Sequence, residues 1–264
     1  MRLIRHLTPS GPAIAIRHAD GSHTAVAGDP VNGYSDSGQP ATLGKILAPV
    51  APTNIIGIGL NYRKHALEGK RGVPERPMWF MKTSNAVQHP GEPIRLPVSS
   101  DKVDYEGELA VVLGRDTHNV TREAALEHVL GYTIAIDVSA RDWQFEFGGG
   151  QFNHGKSFDT FCPLGPELVT PEEFDPATAQ LTTRVNGETR QNSPIADLVF
   201  DVPTLVSFLS TDRTLPAGTV ILTGTPSGVG YAMEPPHWLA PGDEVSVEIS
   251  GLGCLTNPVA AATP

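Results

Sequence analysis

The sequence predicts a strand-rich α+β fold, and three observations carry the prediction. Gly and Pro number 27 and 24 among 264 residues, a supply of turn formers that suits many short strands rather than a helical bundle. Val245, Val247 and Ile249 alternate with Glu244, Ser246, Glu248 and Ser250, the period of two of a strand with one solvent face. Asp20-Gly21 and Asn186-Gly187 each separate two strand-like runs, the local signature of a hairpin.

Taken in order, residues 13–16 and 24–27 form the first hairpin. Residues 31–46, rich in Gly, Ser, Pro and Asn, read as a linker. A small N-terminal β unit with its linker is therefore expected over 1–46 and a main domain over 47–264. In the main domain, Ile55-Ile56-Gly57-Ile58-Gly59 reads as a buried strand, and a short helix over 63–68 ends at Gly69. Apolar runs predict strands over 108–113 and 132–136. Thr121 is a plausible N-cap for a helix over 121–129. Thr170-Pro171-Glu172-Glu173 has the N-cap, N1-proline and N3-glutamate pattern of another helix start. A hairpin turning at Asn186-Gly187, a helix over 202–209 and a strand over 220–223 complete the list.

The net charge of −10 argues against a nucleic-acid partner, which a basic surface would favour. An anionic substrate remains compatible, because local charge in a pocket can oppose the global sign. Cys162 and Cys254 form neither a zinc module nor a disulfide framework. The N-terminus lacks the apolar core of a signal peptide, and no apolar run approaches the roughly 18 residues of a membrane span. The expected location is the cytoplasm, with no membrane partner.

Two clusters carry chemistry. Glu106 and Glu108 lie two apart where an apolar strand begins, so they share a face. Side by side they repel unless a cation sits between them. Gly107 leaves the opposite face small and open to close approach. Asp137 follows the apolar run Ile134-Ala135-Ile136, where an unpaired carboxylate is costly to bury. Three carboxylates without a Cys or His trio make a hard oxygen set, suited to Mg²⁺, Mn²⁺ or Ca²⁺ rather than Zn²⁺. The second cluster is His65-Ala66-Leu67-Glu68, which places an imidazole and a carboxylate on one helical face. A carboxylate that accepts one ring N–H raises the basicity of the other nitrogen and makes a general base.

Five motifs in series resemble the fumarylacetoacetate hydrolase superfamily over about residues 47–259. They are Gly59-Leu60-Asn61-Tyr62-Arg63-Lys64-His65, Tyr105-Glu106-Gly107-Glu108-Leu109, Asp137-Val138-Ser139-Ala140-Arg141-Asp142, Gly155-Lys156-Ser157-Phe158-Asp159-Thr160 and Thr223-Gly224-Thr225-Pro226-Ser227-Gly228-Val229-Gly230. The resemblance implies a mixed β-sandwich roll assembled as a homodimer. It implies Glu106, Glu108 and Asp137 as metal ligands, His65 and Glu68 as the catalytic dyad on a lid, and Lys156 as a charge-neutralising lysine. Gly224 and Thr225 would contact the substrate carboxylate, with Arg63, Lys82 and Gln144 nearby. Leu60 stands where some members carry arginine, and 148–154 departs from the pattern of many relatives. These differences bear on selectivity.

The activity expected from the resemblance is metal-dependent hydrolysis of a C–C bond in a 2,4-diketo acid, such as an acylpyruvate or fumarylpyruvate, through an enolate stabilised by the ion. The same site supports two alternatives, decarboxylation of oxaloacetate and isomerisation or tautomerisation of a keto acid. A metal- or ligand-binding protein without turnover is the alternative of another class. An intact general-base pair argues against it.

Overall fold

The computed structural model describes residues 1–31, 33–69 and 72–262. Alternating and fully apolar runs sort the strands between edge and core. Gly107–Leu113 is buried along its whole length and Val129–Ile136 almost so, as expected of strands covered on both faces. They lie side by side at the centre of a long mixed sheet.

From one edge that sheet runs Gly33–Pro40, His23–Asp29, Gly11–Arg17, Arg2–Thr8, Cys162–Val169, Val129–Ile136, Gly107–Leu113, Val220–Leu222, Ile55–Gly59 and Met78–Lys82. Val220–Leu222 and Ile55–Gly59 pair parallel, while Ile55–Gly59 and Met78–Lys82 pair antiparallel. A second sheet orders Glu188–Pro194, Gln180–Val185, Glu244–Ile249, Gly253–Ala260 and Ile94–Arg95. Its buried positions Leu181, Val185, Val245, Val247 and Ile249 join the main core. The architecture is the expected strand-rich α+β sandwich with a curled main sheet. At the Asn186-Gly187 turn φ is 53° and 79°, the left-handed pair that a two-residue hairpin loop requires.

The two sheets meet at Gly107. A Cβ there would stand 2.1 Å from Thr183 Oγ1 and 3.1 Å from Val247, so the second sheet occupies the side left bare by glycine. Residues 106 and 108 must then project the other way.

Three local expectations are corrected. The 31–46 segment is not a linker throughout: Gly33–Pro40 is an exposed edge strand paired with His23–Asp29, and its polar composition reflects solvent rather than absence of structure. The 121–129 helix shrinks to a 3₁₀ turn at Ala125–His128, because Val129 already pairs with Leu113 and the His128 carbonyl accepts from Gly114 N–H. Residues 171–173 form a turn, not a helix start. There the Glu173 carboxylate is drawn to the Met1 amino group at 3.0 Å and Arg2 at 3.4 Å.

Candidate active site and metal centre

The carboxylates are assembled by strand register. Gly107 stands opposite Ile136 in the antiparallel pair, and Asp137 N–H donates to the Glu106 carbonyl at 2.8 Å. Opposed residues share a face, as do residues two apart. Glu106, Glu108 and Asp137 therefore project together, and each contributes an oxygen within 4.8 Å of the others. All three are buried.

Cations reach this floor from three other segments. Lys156, from the short helix Asn153–Lys156, donates to Glu106 Oε2 at 2.7 Å and Asp137 Oδ2 at 2.6 Å. Gly155 lets that helix seat itself, since a Cβ there would meet the Ala140 carbonyl at 2.7 Å and Gln144 N at 2.9 Å. Lys82, from the Met78–Lys82 strand, donates to Asp137 Oδ1 at 2.5 Å and the Val138 carbonyl at 3.2 Å. Arg141 donates to Asp104 at 2.9 Å, Glu106 at 2.6 Å and Gln144 Oε1 at 2.8 Å. Asp104 is in turn held by the backbone N–H groups of Tyr105, Gly230 and Tyr231.

Electrostatics distinguish the two glutamates. Burial would raise the Glu106 carboxyl, but Lys156, Arg141 and His65 outweigh it and hold it below the usual range. Burial, Asp137 and Glu106 together push Glu108 well up. Glu108 accepts from Gly224 N–H at 2.7 Å, and among the described residues it pairs with no lysine or arginine. Four buried carboxylates, Asp104 included, face three cations. A crowded, oxygen-only trio with one carboxylate in excess fits a hard divalent cation held by Glu106, Glu108 and Asp137.

The dyad sits on the helix Arg63–Glu68. His65 Nδ1 and Glu68 Oε1 are 2.8 Å apart, and Glu68 also accepts from Gly228 N–H at 3.1 Å. With Nδ1 donating to Glu68, Nε2 is the nitrogen left to take a proton. Asn61 ties this segment to its neighbours, donating to the Thr223 and Phe200 carbonyls and accepting from Phe200 N–H. At Gly224 φ is 102°, and a Cβ there would approach Asn61 Cβ to 2.7 Å, so the turn beside Glu108 needs glycine.

One cleft is lined by His65, Glu106, Glu108, Gln144, Lys156 and Thr225, together with Arg141 and a set of apolar side chains. Thr225 donates to the Gly107 carbonyl at 2.9 Å and accepts from Gln191 Nε2 at 2.7 Å. Glu68, Lys82, Asp137 and Gly224 do not line it: Glu68 stands behind His65, Gly224 N–H holds Glu108, and Lys82 bonds Asp137, which shares Lys156 with Glu106. Arg63 does not line it: the side chain is exposed and borders a separate groove with Lys64, Ser193 and Asp197. Sequence reasoning missed Arg141, Asp104 and Gln191. Arg141 lay within a quoted motif, and its place four residues after Asp137 was the available signal. Gln191 gave none, since its contact crosses between the two sheets.

Comparison with known proteins identifies the family. Residues 54–260 match the family model described as fumarylacetoacetate (FAA) hydrolase C-terminal. The chain is 48% identical over 216 residues to the oxaloacetate tautomerase fahd2, mitochondrial, of Xenopus laevis, covering 81% of this chain and 68% of that protein. Among solved structures, a 5-carboxymethyl-2-hydroxymuconate delta-isomerase from Mycobacterium smegmatis superposes with a TM-score of 0.87 at 41% identity, covering 99% of this chain and 100% of that one. A fumarylacetoacetate hydrolase from Exiguobacterium antarcticum gives a TM-score of 0.85 at 37% identity, with 99% of both chains covered. No helix among the described residues is long and apolar enough to cross a membrane. In sequence and fold, the chain belongs to the fumarylacetoacetate hydrolase family.

Proposed function

We propose that this protein is a tautomerase or isomerase that moves a proton beside the carbonyl of a small 2-keto acid, with a divalent cation as cofactor. The observation that carries the reading is one cleft into which His65, held by Glu68 behind it, and Glu106 and Glu108 of the buried carboxylate trio all open. Similarity to an oxaloacetate tautomerase and to a delta-isomerase of a carboxylated muconate supports proton transfer over C–C hydrolysis.

A cation held by Glu106, Glu108 and Asp137 would polarise the keto oxygen and acidify the neighbouring C–H. His65, oriented by Glu68, would carry the proton at Nε2 between that carbon and the carbonyl oxygen in a tautomerisation, or on to a more distant carbon in an isomerisation. Gly228 N–H fixes Glu68, and so fixes the imidazole. Gln144, whose Oε1 is taken by Arg141, offers its amide N–H groups to the carboxylate or the developing oxyanion.

Hydrolysis of a 2,4-diketo acid stands as the second reading, favoured by the same dyad's ability to activate water and by the similarity to a fumarylacetoacetate hydrolase. The deciding experiment adds freshly dissolved enol-oxaloacetate, and in parallel an acylpyruvate, to Mg²⁺-loaded and chelator-stripped protein, follows enol absorbance, and identifies products by mass. Metal-dependent enol loss with the mass unchanged is expected. Metal-dependent cleavage of an acylpyruvate to pyruvate and an acid, without accelerated enol loss, would transfer the assignment to hydrolysis. Loss of CO₂ would indicate decarboxylation.

A further inference from the structure

The cleft has two chemically distinct sides. Its floor holds the carboxylates, Lys156, Arg141 and Gln144. Its wall is an arc of four rings in edge or tilted contact: Phe80 to Phe152 at 6.1 Å between centroids, Phe152 to Phe145 at 6.2 Å, and Phe145 to Tyr231 at 5.7 Å. The ends of the arc cover the two floor cations, with Lys156 Nζ 4.8 Å from the Phe80 centroid and the Arg141 guanidinium carbon 4.6 Å from that of Tyr231. Leu60 and Met78 extend the apolar wall, Leu60 from a left-handed backbone with φ 57°.

Among the described residues lining the cleft, both cations are already committed, Lys156 to Glu106 and Asp137, and Arg141 to Asp104 and Glu106. His65 is engaged with Glu68. A second carboxylate lying against the wall would lose its water and meet no uncommitted cation among the described lining residues, which disfavours it there. An uncharged planar group there buries apolar area and meets ring faces and edges suited to it.

Building on the keto-acid reading, we infer that the wall is a tail subsite selecting 2-keto acids whose substituent beyond the carbonyl is an uncharged, flat or conjugated hydrocarbon, rather than a second carboxylate. Leu60 is a specificity-determining residue of that subsite.

The test compares enol-phenylpyruvate with enol-oxaloacetate in Mg²⁺-loaded protein, both followed by enol absorbance. In parallel, calorimetry measures the affinity of phenylglyoxylate and ketomalonate, 2-keto acids with no C–H to enolise. The expected result is kcat/KM at least tenfold higher for phenylpyruvate, and phenylglyoxylate bound at least tenfold tighter than ketomalonate. Leu60→Arg, which places a cation in the wall, should shift both ratios tenfold or more toward the dicarboxylates. Equal or better handling of the dicarboxylates by the unaltered protein would overturn the inference while leaving the tautomerase reading intact. Turnover of neither enol would overturn the tautomerase reading, and the affinity ratio would still decide on the tail.

Discussion

The carboxylate floor and the dyad helix occupy one cleft but are built differently. The floor stands on the two central strands, with Glu106, Glu108 and Asp137 all less than a tenth exposed and fixed by backbone register. The dyad rides on six residues whose N-cap, Tyr62, makes no side-chain cap bond, and whose Arg63, Lys64 and Leu67 are exposed. Helices so short have little stability of their own. What holds this one is tertiary: Glu68 on Gly228 N–H and Asn61 on the 199–200 and 223 backbone. The ligand set is thus preorganised, while the base is placed by a few bonds that a substrate's arrival can adjust. Ligand binding and proton transfer should therefore be separable by mutation.

The largest effect should come from the floor. Glu108→Gln keeps the shape and removes one ligand charge. Because Glu108 is crowded by Asp137 and Glu106 in a buried place, the metal-free variant should melt no lower than the unaltered protein. Calorimetry should nevertheless show Mg²⁺ or Mn²⁺ affinity down by about 100-fold or more, beyond the 10- to 100-fold typical of groups one shell further out. Unchanged affinity would remove Glu108 from the ligand set.

A smaller loss is expected from the dyad's anchor. Glu68→Gln retains a hydrogen bond to His65 but not the charge that favours its protonation. Steady-state kinetics should show kcat reduced by about 10- to 100-fold, with metal affinity unchanged. A parallel fall in metal affinity would mean that helix and floor are one mechanical unit, against the comparison drawn above. Next is Gly155→Ala, whose methyl group would collide with the backbone at Ala140 and Gln144. It should destabilise by about 1–3 kcal/mol, read as a lower Tm, and loosen Lys156 from the floor.

The mildest test uses the two thiols. Cys162 is fully buried close to Lys82, Asp137 and Glu108, and burial pushes its thiol up to about 12. Cys254 is exposed. A thiol reagent at neutral pH should titrate one cysteine in the native protein and two after unfolding. Rapid modification of Cys162 in the native state would show that the sheet carrying the ligands opens readily.

Much of the floor was legible in the sequence for a simple reason. Period-two spacing places Glu106 and Glu108 on one face, Gly107 reports the sheet packed behind them, and Asp137 ends an apolar run. The dyad was equally local, an i, i+3 pair on one turn. The rest depended on distant partners. Arg141 matters because Asp104 and Glu106 converge on it, and its spacing from Asp137 alone does not say which carboxylates it will meet. The Gly33–Pro40 strand carries no hydrophobic alternation, since its pairing with His23–Asp29 supplies what its side chains do not. Arg63 was expected near the site from the resemblance, while its exposed position on the short helix borders a neighbouring groove. The aromatic arc draws rings from segments about 80, 145, 152 and 231, too scattered to be seen as one surface beforehand.

The most direct test of the account measures deuterium entry at C3 of a 2-keto acid in D₂O by NMR, using metal-loaded protein and its His65→Ala variant, with metal content checked in both. The account predicts metal-dependent exchange in the unaltered protein. It predicts exchange slower by about 10²- to 10⁴-fold in the variant, which retains its metal. Undiminished exchange in His65→Ala would contradict the assignment of His65 as the base, and C–C cleavage without any exchange would contradict proton transfer as the reaction.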